Sequence, residues 1–598
     1  MNSLTLQHAR ELFQAGQWPA LLKTCKELDK QPVHHDEVSY MTGIALIQLN
    51  QLQEGISILE NIIAKNPRDV NALNALAIGH ERLHNFDSAL KYYQKALKLV
   101  PGSIPLLTNI ADLQRKMGKT KLAIALLKPL QKKHESDTNL LNTLALCYSD
   151  DNKYDEAQKL WEKILEISPN NPQVLNNLSI LLYKTNKNEL ALEYVEKAYV
   201  LSPDHPNVLN NYGNCLSAVN EHEKAIPLFL RATELAPQFA EAVQNLAYAY
   251  HNIGDFDLAF KYYKQALNIA PDNKYPIWQR SMTNLLSGNF KQGWLDYEVG
   301  LELNERTQKT DPRPRWNPEI NNEANVLVTL EQGIGDQIMF VSCLPDLQKV
   351  SSNIRLECEP RLAPLFQRSF PKVEVLPLAN PSKVSKNKKG EATEYQLAMG
   401  SLPLLFRKKI SDFPRKKSFL IADKALIEKW SNRFDNMGGN IKIGISWNAG
   451  VLVEHLKRSI SLENWLPILQ TEKCDFINLQ YGKHQNCEEF KSLRDQYGIN
   501  IFDWDDSDSY KNLDDFAAQI TALDLVISVG NANVHLAGAL GTPAWCMIPY
   551  VPSWRWMFNG QESVWYKSVK MYRQDKLNHW ETVINQVSSD LKQLTLKK

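Results

Sequence analysis

Three short polar motifs in the second half of the chain combine residue types that suit anion binding and proton transfer. The first is Gly333-Ile334-Gly335-Asp336. Its glycines let a backbone approach a ligand closely, and its aspartate can accept a proton from a hydroxyl group. An aspartate in this place also caps helices, a role worth about 1 kcal/mol, so the motif alone leaves both roles open.

The second motif is Gly530-Asn531-Ala532-Asn533, followed by His535. It comes after an apolar strand and opens a helix of small residues, whose first amides are donors that suit a diphosphate. We therefore predict that Asn531, Ala532 and Asn533 bind an anionic ligand. His535 lies one turn into the helix, where its ring can contact phosphate or sugar; a buried structural histidine is the alternative.

The third motif is Ser446-Trp447-Asn448-Ala449-Gly450, followed by Lys457-Arg458-Ser459. A strand that ends in a polar turn, with two cations after it, supplies countercharge for a phosphate. We predict that Trp447 and Asn448 contribute to such a site together with both cations. A solvated pair of cations is the alternative for the second stretch.

Strand and helix patterns alternate around these motifs. Apolar runs predict strands at 326–330, 354–358, 373–376, 441–447, 476–480 and 525–529. Because ligands bind at the carboxyl ends of parallel strands, two such lobes would bring the motifs to one cleft. We predict an α/β module with lobes at 326–430 and 431–576, then a C-terminal helix at 577–598 that packs on either lobe. The polar, proline-containing stretch at 306–325 is typical of a linker.

The first half of the chain repeats with a period of 34 residues. Alanine and proline each keep one register: Ala89, Ala123, Ala157, Ala191, Ala225, Ala259, and Pro67, Pro101, Pro169, Pro203, Pro237, Pro271. Small residues let two helices approach closely, and proline ends a helix because it lacks an amide donor. The pattern resembles the tetratricopeptide repeat over 36–273, with degenerate units at 3–35 and 274–305. We therefore predict an α solenoid over 1–305.

Asparagines recur in these units close to the apolar stripe but off it: four share one register, and Asn142 lies one position before that register. The members that we predict to bind an acceptor are Asn109, Asn142, Asn177, Asn211 and Asn245. An amide both donates and accepts, so such a ladder can hold the backbone of an extended peptide without reading its sequence. The repeat region of O-GlcNAc transferases, which this region resembles, has such a ladder. The alternative is that asparagine is tolerated at solvated helix positions.

Composition excludes several classes of protein. The 598 residues suggest roughly three or four domains. Lys and Arg (68) nearly balance Asp and Glu (67), which argues against a nucleic-acid-binding protein. Eight cysteines without a CxxC pair favour reduced thiols over a disulfide framework or metal site. The N-terminus has no signal-peptide pattern and no apolar run is long enough to span a membrane, so we expect a soluble, cytoplasmic protein.

The order of motifs in the second half resembles one protein family. After GxGD and SWNAG come Leu479-Gln480-Tyr481-Gly482, then His535 to Pro543 and Trp554 to Met557. Over about 325–575 the chain resembles the two-lobed GT-B glycosyltransferase module of bacterial tetratricopeptide proteins, which is related to ADP-heptose lipopolysaccharide heptosyltransferases. The resemblance implies an acceptor-binding first lobe and a second lobe that binds a nucleotide sugar. It also implies inverting transfer with no required metal and no cofactor besides the sugar donor.

The resemblance assigns roles to individual residues. The GxGD aspartate is the proposed general base of the related heptosyltransferases, which here is Asp336. The implied donor-binding residues are Gly335, Trp447, Asn448, Lys457, Arg458, Gln480, Asn531, Ala532, Asn533 and His535. Relatives carry Asp-Thr where this chain has Gly530-Asn531, a change that removes a carboxylate and implies either a different donor or an impaired site.

Three hypotheses about function follow. The leading one is transfer of a sugar to Ser or Thr hydroxyls of a protein, such as flagellin or another surface protein, held by the solenoid. The architecture would then be similar to that of O-GlcNAc transferase. The second is transfer to a glycan or lipopolysaccharide acceptor, with the repeats serving only for docking. The third is a non-catalytic peptide-binding scaffold with a decayed module; a homodimer through the solenoid is open in each case.

Overall fold

The computed structural model describes residues 6–29, 35–306, 313–317, 319, 324–351, 353–378, 393–414, 416–450, 455–481, 487–504 and 506–597. Part of the predicted linker at 306–325 and Gly482 lie outside the described residues. The chain forms two compact units, Met1–Cys215 and Leu216–Lys598.

The first unit consists of helices that pair with their neighbours in sequence. They are α1 (Leu6–Gln14), α2 (Trp18–Leu28), α3 (His35–Gln48), α4 (Leu52–Lys65), α5 (Val70–Arg82), α6 (Phe86–Leu99), α7 (Ile104–Lys116), α8 (Thr120–Gln131), α9 (Thr138–Asp150), α10 (Tyr154–Ile167), α11 (Pro172–Lys184), α12 (Asn188–Leu201) and α13 (Pro206–Ala218), which ends in the second unit. Polar caps fix some of the helix starts: Asp69, Asp137 and Asn171 accept hydrogen bonds from amides in the next turn. The predicted α solenoid is confirmed for this unit.

The repeat columns pack as their residue types predict. Four alanines of the first unit have no exposed surface, and the large residues four positions later are at most 1% exposed: Ala89, Ala123, Ala157, Ala191, and Tyr93, Leu127, Trp161, Val195. An alanine lets the two helices of a pair come close, and the large side chain fills the space between them. The same two columns therefore set the spacing of the helices in each pair.

A further column, which the sequence analysis missed, lies at the turn inside each helix pair. Residues every 34 positions have a positive φ: Gly16, Asn50, His84, Gly118, Asn152 and Asn186 in the first unit, and Asn220, Gly254 and Gly288 in the second. Glycine and asparagine adopt this left-handed conformation most readily, and it ends one helix so that the next can turn back. The column extends into the degenerate end units, so they share the same turn.

The second unit begins with more helices of the same kind. They are α14 (His222–Leu235), α15 (Ala240–Ile253), α16 (Phe256–Ile269), α17 (Tyr275–Leu286), α18 (Phe290–Tyr297) and α19 (Val299–Glu302). The last pair belongs to the core of the α/β region, because the buried rings of Trp294 and Tyr297 pack on Trp554 at 5.4 and 5.7 Å. The final repeat thus supports the α/β region directly.

The predicted linker begins with a buried residue. Arg306 has no exposed surface, and its guanidinium donates to both carboxylate oxygens of Glu331 at 3.0 and 2.8 Å. It also stacks over the Tyr297 ring at 4.5 Å. A buried charge is stable only when paired and hydrogen-bonded, so this pair fixes the loop that follows the first strand.

The first sheet has four parallel strands: β1 (Asn325–Thr329), β2 (Asn353–Cys358), β3 (Glu374–Pro377) and β4 (Tyr395–Ala398). Their order is β3-β2-β1-β4, with Val326 opposite both Ile354 and Tyr395. The first three strands were predicted and β4 was missed. The chain order changes direction beside β1, so the loop after β1 lies at a place where such sheets bind ligands.

The second sheet has six parallel strands: β5 (Ile441–Ser446), β6 (Cys474–Asn478), β7 (Ile501–Phe502), β8 (Leu525–Val529), β9 (Ala544–Ile548) and β10 (Val569–Arg573). Their order is β7-β6-β5-β8-β9-β10, the order of doubly wound dinucleotide-binding sheets. The strands β5, β6 and β8 were predicted, whereas β7, β9 and β10 were missed. The switch point lies between β5 and β8, where two of the three motifs begin.

Helices cover the two sheets. They are α20 (Ile334–Phe340), α21 (Leu344–Leu347), α22 (Ala363–Ser369), α23 (Leu402–Phe406), α24 (Lys424–Asp435), α25 (His455–Arg458), α26 (Leu466–Leu469), α27 (Cys487–Tyr497), α28 (Leu513–Ala522), α29 (Ala532–Leu540) and α30 (Glu581–Thr595). The C-terminal helix α30 packs on the second sheet, since its buried Val583 and Val587 share a core with Ile443 of β5.

Candidate active site

Two loops meet at the switch point of the second sheet. The Asn531 amide Nδ2 donates to Ser446 Oγ at 2.8 Å and to the backbone carbonyl of Asn448 at 3.2 Å. Ser528 Oγ, at the end of β8, donates to Asn531 Oδ1 at 3.1 Å. One side chain therefore ties together the ends of both central strands, and the loops form a fixed polar surface at this edge of the sheet.

Gln480, which follows β6, belongs to the same network. Its Oε1 accepts hydrogen bonds from Ser446 Oγ at 3.0 Å and from the backbone amides of Trp447 and Asn448 at 3.1 and 2.9 Å. The Trp447 ring is 5% exposed and packs near Phe490, so this residue joins the network through its backbone. The predicted donor-binding residues Trp447, Asn448, Gln480 and Asn531 thus lie together.

The start of helix α29 is capped within the same network. Asn531 Oδ1 accepts from the Asn533 amide at 3.0 Å, and Asn533 Nδ2 donates to the Leu479 carbonyl at 2.8 Å. A cap of this kind satisfies an amide that would otherwise lack an intrahelical partner. Asn531 is consequently part of the fixed structure of this loop.

The GxGD turn of the first sheet reaches the same helix. A Cβ placed on Gly335 would lie 3.1 Å from His535 Cδ2 and 3.5 Å from Ala532 Cα. The first of these contacts is closer than most side chains accept, so the glycine permits the approach of α20 to α29. The structure therefore brings Gly335, Ala532 and His535 together, as the motifs predicted.

Asp336 forms an ion pair across this contact. Its Oδ1 accepts from Arg555 Nε at 2.6 Å and lies 2.5 Å from Arg555 Nη2. The Arg555 side chain is 22% exposed and that of Asp336 is 15% exposed, so the pair is partly accessible. The sequence analysis named Trp554 to Met557 only as part of a resemblance and assigned no role to Arg555.

His535 lies inside the site with a buried ring. The ring is 5% exposed, stacks on Trp556 at 4.8 Å, and its Nδ1 shares a hydrogen bond of 2.8 Å with the Tyr566 hydroxyl. Burial, and then the charges of Arg555 and Arg458, lower the pKa of His535 to about 3. The imidazole is therefore neutral at neutral pH, and any contact with a donor would be that of an uncharged ring.

Gly530 is contacted by Trp556 and by Arg458. A Cβ on Gly530 would lie 2.9 Å from Trp556 Nε1, so the tryptophan fits only because this residue is glycine. Arg458 Nη1 lies 3.5 Å from the Gly530 carbonyl oxygen on the same side. The cluster therefore carries two guanidinium groups, from Arg458 and Arg555, around the start of α29.

Lys457 is placed differently from its neighbour. Its Nζ donates to Asn252 Oδ1 at 2.8 Å and to His222 Nε2 at 3.1 Å, both on helices of the last repeats. Burial first, and then the Lys457 charge, lower the pKa of His222 to about 3, so the ring accepts as a neutral imidazole. The adjacent cations predicted to act as one pair thus have separate partners.

Two residues beside the site have left-handed backbones without being glycine. Gln332, just before the GxGD turn, has a φ of 60°, and Met557, after Arg555, has a φ of 53°. Gln332 Nε2 donates to the Tyr297 hydroxyl at 2.7 Å, and Arg573 donates to the Met557 carbonyl at 2.8 Å. Such conformations cost about 1–3 kcal/mol and persist where surrounding bonds hold them, often at functional sites.

The asparagine column of the first unit forms hydrogen bonds between successive repeats. The Nδ2 atoms of Asn109, Asn177 and Asn211 donate to the Oδ1 of the asparagine 35 residues earlier, at 3.0, 3.2 and 2.8 Å. Asn142 Oδ1 also accepts from Trp161 Nε1 at 2.8 Å. Each bond fixes an amide and orients its remaining donor and acceptor groups. Asn245 lies in the second unit, half-buried on α15.

No group of three or more His, Cys, Asp or Glu side chains among the described residues could hold a metal ion. No helix among them is long and apolar enough to cross a membrane.

Comparison with known proteins identifies the repeats. Models of the tetratricopeptide repeat match residues 70–103, 136–201, 206–239 and 240–273. The prediction of tetratricopeptide repeats is therefore confirmed in both units. The matched residues include the asparagines at 177, 211 and 245.

Similar proteins match parts of the chain. Protein FlbA of Caulobacter vibrioides is 31% identical over 326 residues, which cover 52% of this chain and 54% of that protein. An N-terminal acetyltransferase A complex subunit-like protein of Schizosaccharomyces pombe is 30% identical over 18% of this chain and 15% of its own length. Among solved structures, a tetratricopeptide repeat protein of Parabacteroides merdae is 17% identical, with a TM-score of 0.35, over 40% of this chain and 95% of its own. The chain thus spans about half of FlbA and a smaller part of the yeast protein.

Proposed function

We propose that the chain is an inverting glycosyltransferase that moves a sugar from a nucleotide-sugar donor to Ser or Thr hydroxyls of a protein. The observation that carries the proposal is the cluster at the switch point of the second sheet. There the network of Ser446, Gln480 and Asn531 lies beside a carboxylate that comes from the other sheet, Asp336. A doubly wound sheet binds nucleotides at this point, and transfer to a hydroxyl needs a group to accept its proton.

The residues divide the proposed reaction between the two sheets. The acceptor hydroxyl oxygen attacks the anomeric carbon from the face opposite the leaving group, and its proton passes to the Asp336 carboxylate. The bond between the anomeric carbon and the diphosphate oxygen breaks, and the electron pair leaves with the diphosphate. Cationic groups stabilise that developing charge most effectively when they are already in place, as Arg458 is beside Gly530.

The repeats would deliver the acceptor. Tetratricopeptide repeats are present on both sides of the unit boundary, and the first unit holds its asparagine amides in a regular series. Fixed amides can hydrogen-bond the backbone of an extended peptide at each repeat, which gives affinity without strict sequence selection. Flagellin or another surface protein is the acceptor class we propose.

One observation favours a second candidate, a non-catalytic scaffold. Asp336 is paired with Arg555, and the side-chain amide of Asn531 already forms hydrogen bonds with Ser446, with Asn448 and with the first turn of α29. A site without chemistry would keep these pairs as structural contacts, with the repeats still binding a partner. The two candidates differ in whether a nucleotide sugar is consumed.

Incubation of the protein with a panel of nucleotide sugars separates the glycosyltransferase from the non-catalytic scaffold. We expect the full chain, coexpressed with candidate acceptors, to add one discrete sugar mass to a protein, measured by intact-mass spectrometry. The triple variant Asn109→Ala, Asn177→Ala, Asn211→Ala should slow protein modification more than donor hydrolysis. An equal fall in both rates would assign the column to structure alone, and no response to any donor would favour the scaffold.

A further inference from the structure

The carboxylate proposed as the base is occupied by a guanidinium in this structure. Both contacts of Arg555, at 2.6 and 2.5 Å, fall on one oxygen, Asp336 Oδ1. A general base needs a lone pair within hydrogen-bond reach of the proton that it accepts. A transfer that uses Oδ1 therefore requires Arg555 to release this oxygen before an acceptor hydroxyl can donate to it.

Hydrogen bonds hold the backbone around Arg555, and the guanidinium makes two further contacts besides the one with Asp336. Arg573 donates to the carbonyls of Trp556 and Met557 at 2.7 and 2.8 Å, and the Phe558 amide donates to Leu286 of α17 at 2.8 Å. The Arg555 guanidinium lies 4.5 Å over the Trp554 ring and donates to Ser553 Oγ at 2.9 Å. A change of partner is thus a rotation of one side chain on a held loop.

Arg555 also lies on the side of α29 where the other guanidinium lies. Arg458 Nη1 is 3.5 Å from the Gly530 carbonyl, and Trp556, next to Arg555, contacts the same glycine. Burial is the main cause that lowers the pKa of His535, and the charges of Arg555 and Arg458 lower it further. Two guanidinium groups that converge in this way match a diphosphate, because each can donate two parallel hydrogen bonds.

We propose that Arg555 binds the diphosphate of the donor, and that its move from Asp336 to the diphosphate releases Asp336 Oδ1 to accept the proton of the acceptor. The inference rests on the proposed function and adds to it a residue and an order of events. The diphosphate carries more negative charge than one carboxylate, so it competes for the guanidinium. Asp336 would thus accept a proton at Oδ1 after Arg555 has turned to the donor diphosphate.

The test measures the binding of ADP, UDP, GDP, CDP and dTDP to the full chain by titration calorimetry. We expect Arg555→Ala to bind the preferred diphosphate about 10-fold or more weakly, because a charged forked contact is lost. The affinity of Arg555→Lys should lie between those of the wild type and Arg555→Ala, since lysine keeps the charge but cannot donate two parallel hydrogen bonds. Asp336→Asn should bind about threefold or more tightly, because Arg555 no longer has a competing carboxylate.

The double variant identifies the competition itself. If Asp336 acts by holding Arg555, Asp336→Asn combined with Arg555→Ala should bind like Arg555→Ala alone. The matched control is Arg433→Ala: Arg433 pairs with Asp506 at 2.8 Å and lies 4.6 Å over the Trp430 ring, in the same lobe. It should leave diphosphate affinity unchanged, which separates the loss of a site contact from the loss of any stacked ion pair.

The outcomes distinguish the inference from the function on which it rests. Wild-type affinity in Arg555→Ala, with binding by the wild type, would overturn the inference and leave the proposed function standing. Binding of none of the five diphosphates by the wild type would overturn both. If Arg555→Ala does not fold, Arg555→Lys and Asp336→Asn decide: unchanged affinity in both overturns the inference.

Discussion

Amide side chains organise both units of this chain, but in two geometries. In the first unit, Asn177 and Asn211 each donate one hydrogen bond to the repeat before them, and the bond recurs along the helices. In the second unit, Gln480 accepts three donors on one oxygen, and Asn531 joins both central strands of a sheet. A ladder spreads a weak bond along a surface, whereas a network concentrates bonds at one point. The first geometry suits a long ligand and the second a small one.

The substitution expected to have the largest effect in the first unit is Trp161→Ala. The ring is 1% exposed and fills the space between α9 and α10, and its Nε1 donates to Asn142. We expect a loss of about 4 kcal/mol in the unfolding free energy, from the cavity and the lost bond. Urea denaturation followed by hydrogen exchange should place that loss in the first unit. Equal losses in both units would mean that the units are not separately stabilised.

Acidification should act mainly on the other unit. Burial is the main cause that lowers the pKa of His222, His251 and His535 to about 3, and all three lie in the second unit. Below the pKa of about 6.5 in the unfolded chain, the unfolded state binds protons that the folded state does not. The stability that these buried, neutral histidines contribute is fully present above that pH. It falls as the pH drops towards 3, by about 1.4 kcal/mol per histidine and pH unit.

Hydrogen exchange at pH 7.5 and 5.5, corrected for intrinsic rates, measures this difference. Among the described residues of the first unit, His80 shows a lowered pKa from burial, so the smaller loss is expected there. His535→Gln should remove part of the pH dependence in the second unit. A first unit that loses more stability than the second would contradict the prediction.

A smaller effect is expected from Gly530→Ala, beside the amide network of the second unit. The added Cβ would lie 2.9 Å from Trp556 Nε1, so the tryptophan or the loop must move. Overpacking of this kind costs about 1–3 kcal/mol. We expect weaker nucleoside diphosphate binding together with a lower denaturation midpoint. Gly560→Ala is a control without close neighbours, although its own positive φ adds strain.

The smallest effect is expected from Asn211→Ala, which tests whether the asparagine column binds a peptide. Asn211→Ala removes the donor to Asn176 Oδ1, whose residue is 9% exposed, and should cost about 1 kcal/mol. Asn207→Ala is the matched control, because Asn207 lies exposed on the same helix. A ladder that binds a peptide should also lose peptide affinity in Asn211→Ala but not in the control. Equal peptide affinity in both variants would leave the bond a structural role only.

The periodic parts of the molecule could be predicted from the sequence. The alanine column is buried, as its small residues predict, because one packing arrangement recurs every 34 residues. The turn column of Gly and Asn carried a signal of the same period and was overlooked. Among the strands that were missed, β7 is only two residues long, too short for a clear pattern.

The candidate site was predictable only in part. Its residues near strand ends were found, since strand ends in a parallel sheet meet at one edge. The pairing of Asp336 with Arg555 joins positions 219 apart in the chain, and no spacing encodes it. Lys457 shows the same limit, because its partners His222 and Asn252 come from the repeats.

The most direct test of the central claim compares sugar transfer by the wild type and by Asp336→Asn. Both are incubated with the nucleotide sugar that the wild type consumes and with its protein acceptor, and the added mass is followed with time. We expect one discrete sugar mass from the wild type and a rate about 100-fold or more lower from the variant, since it keeps the shape of the side chain but cannot accept the proton. An undiminished rate in Asp336→Asn would contradict the assignment of Asp336 as the base.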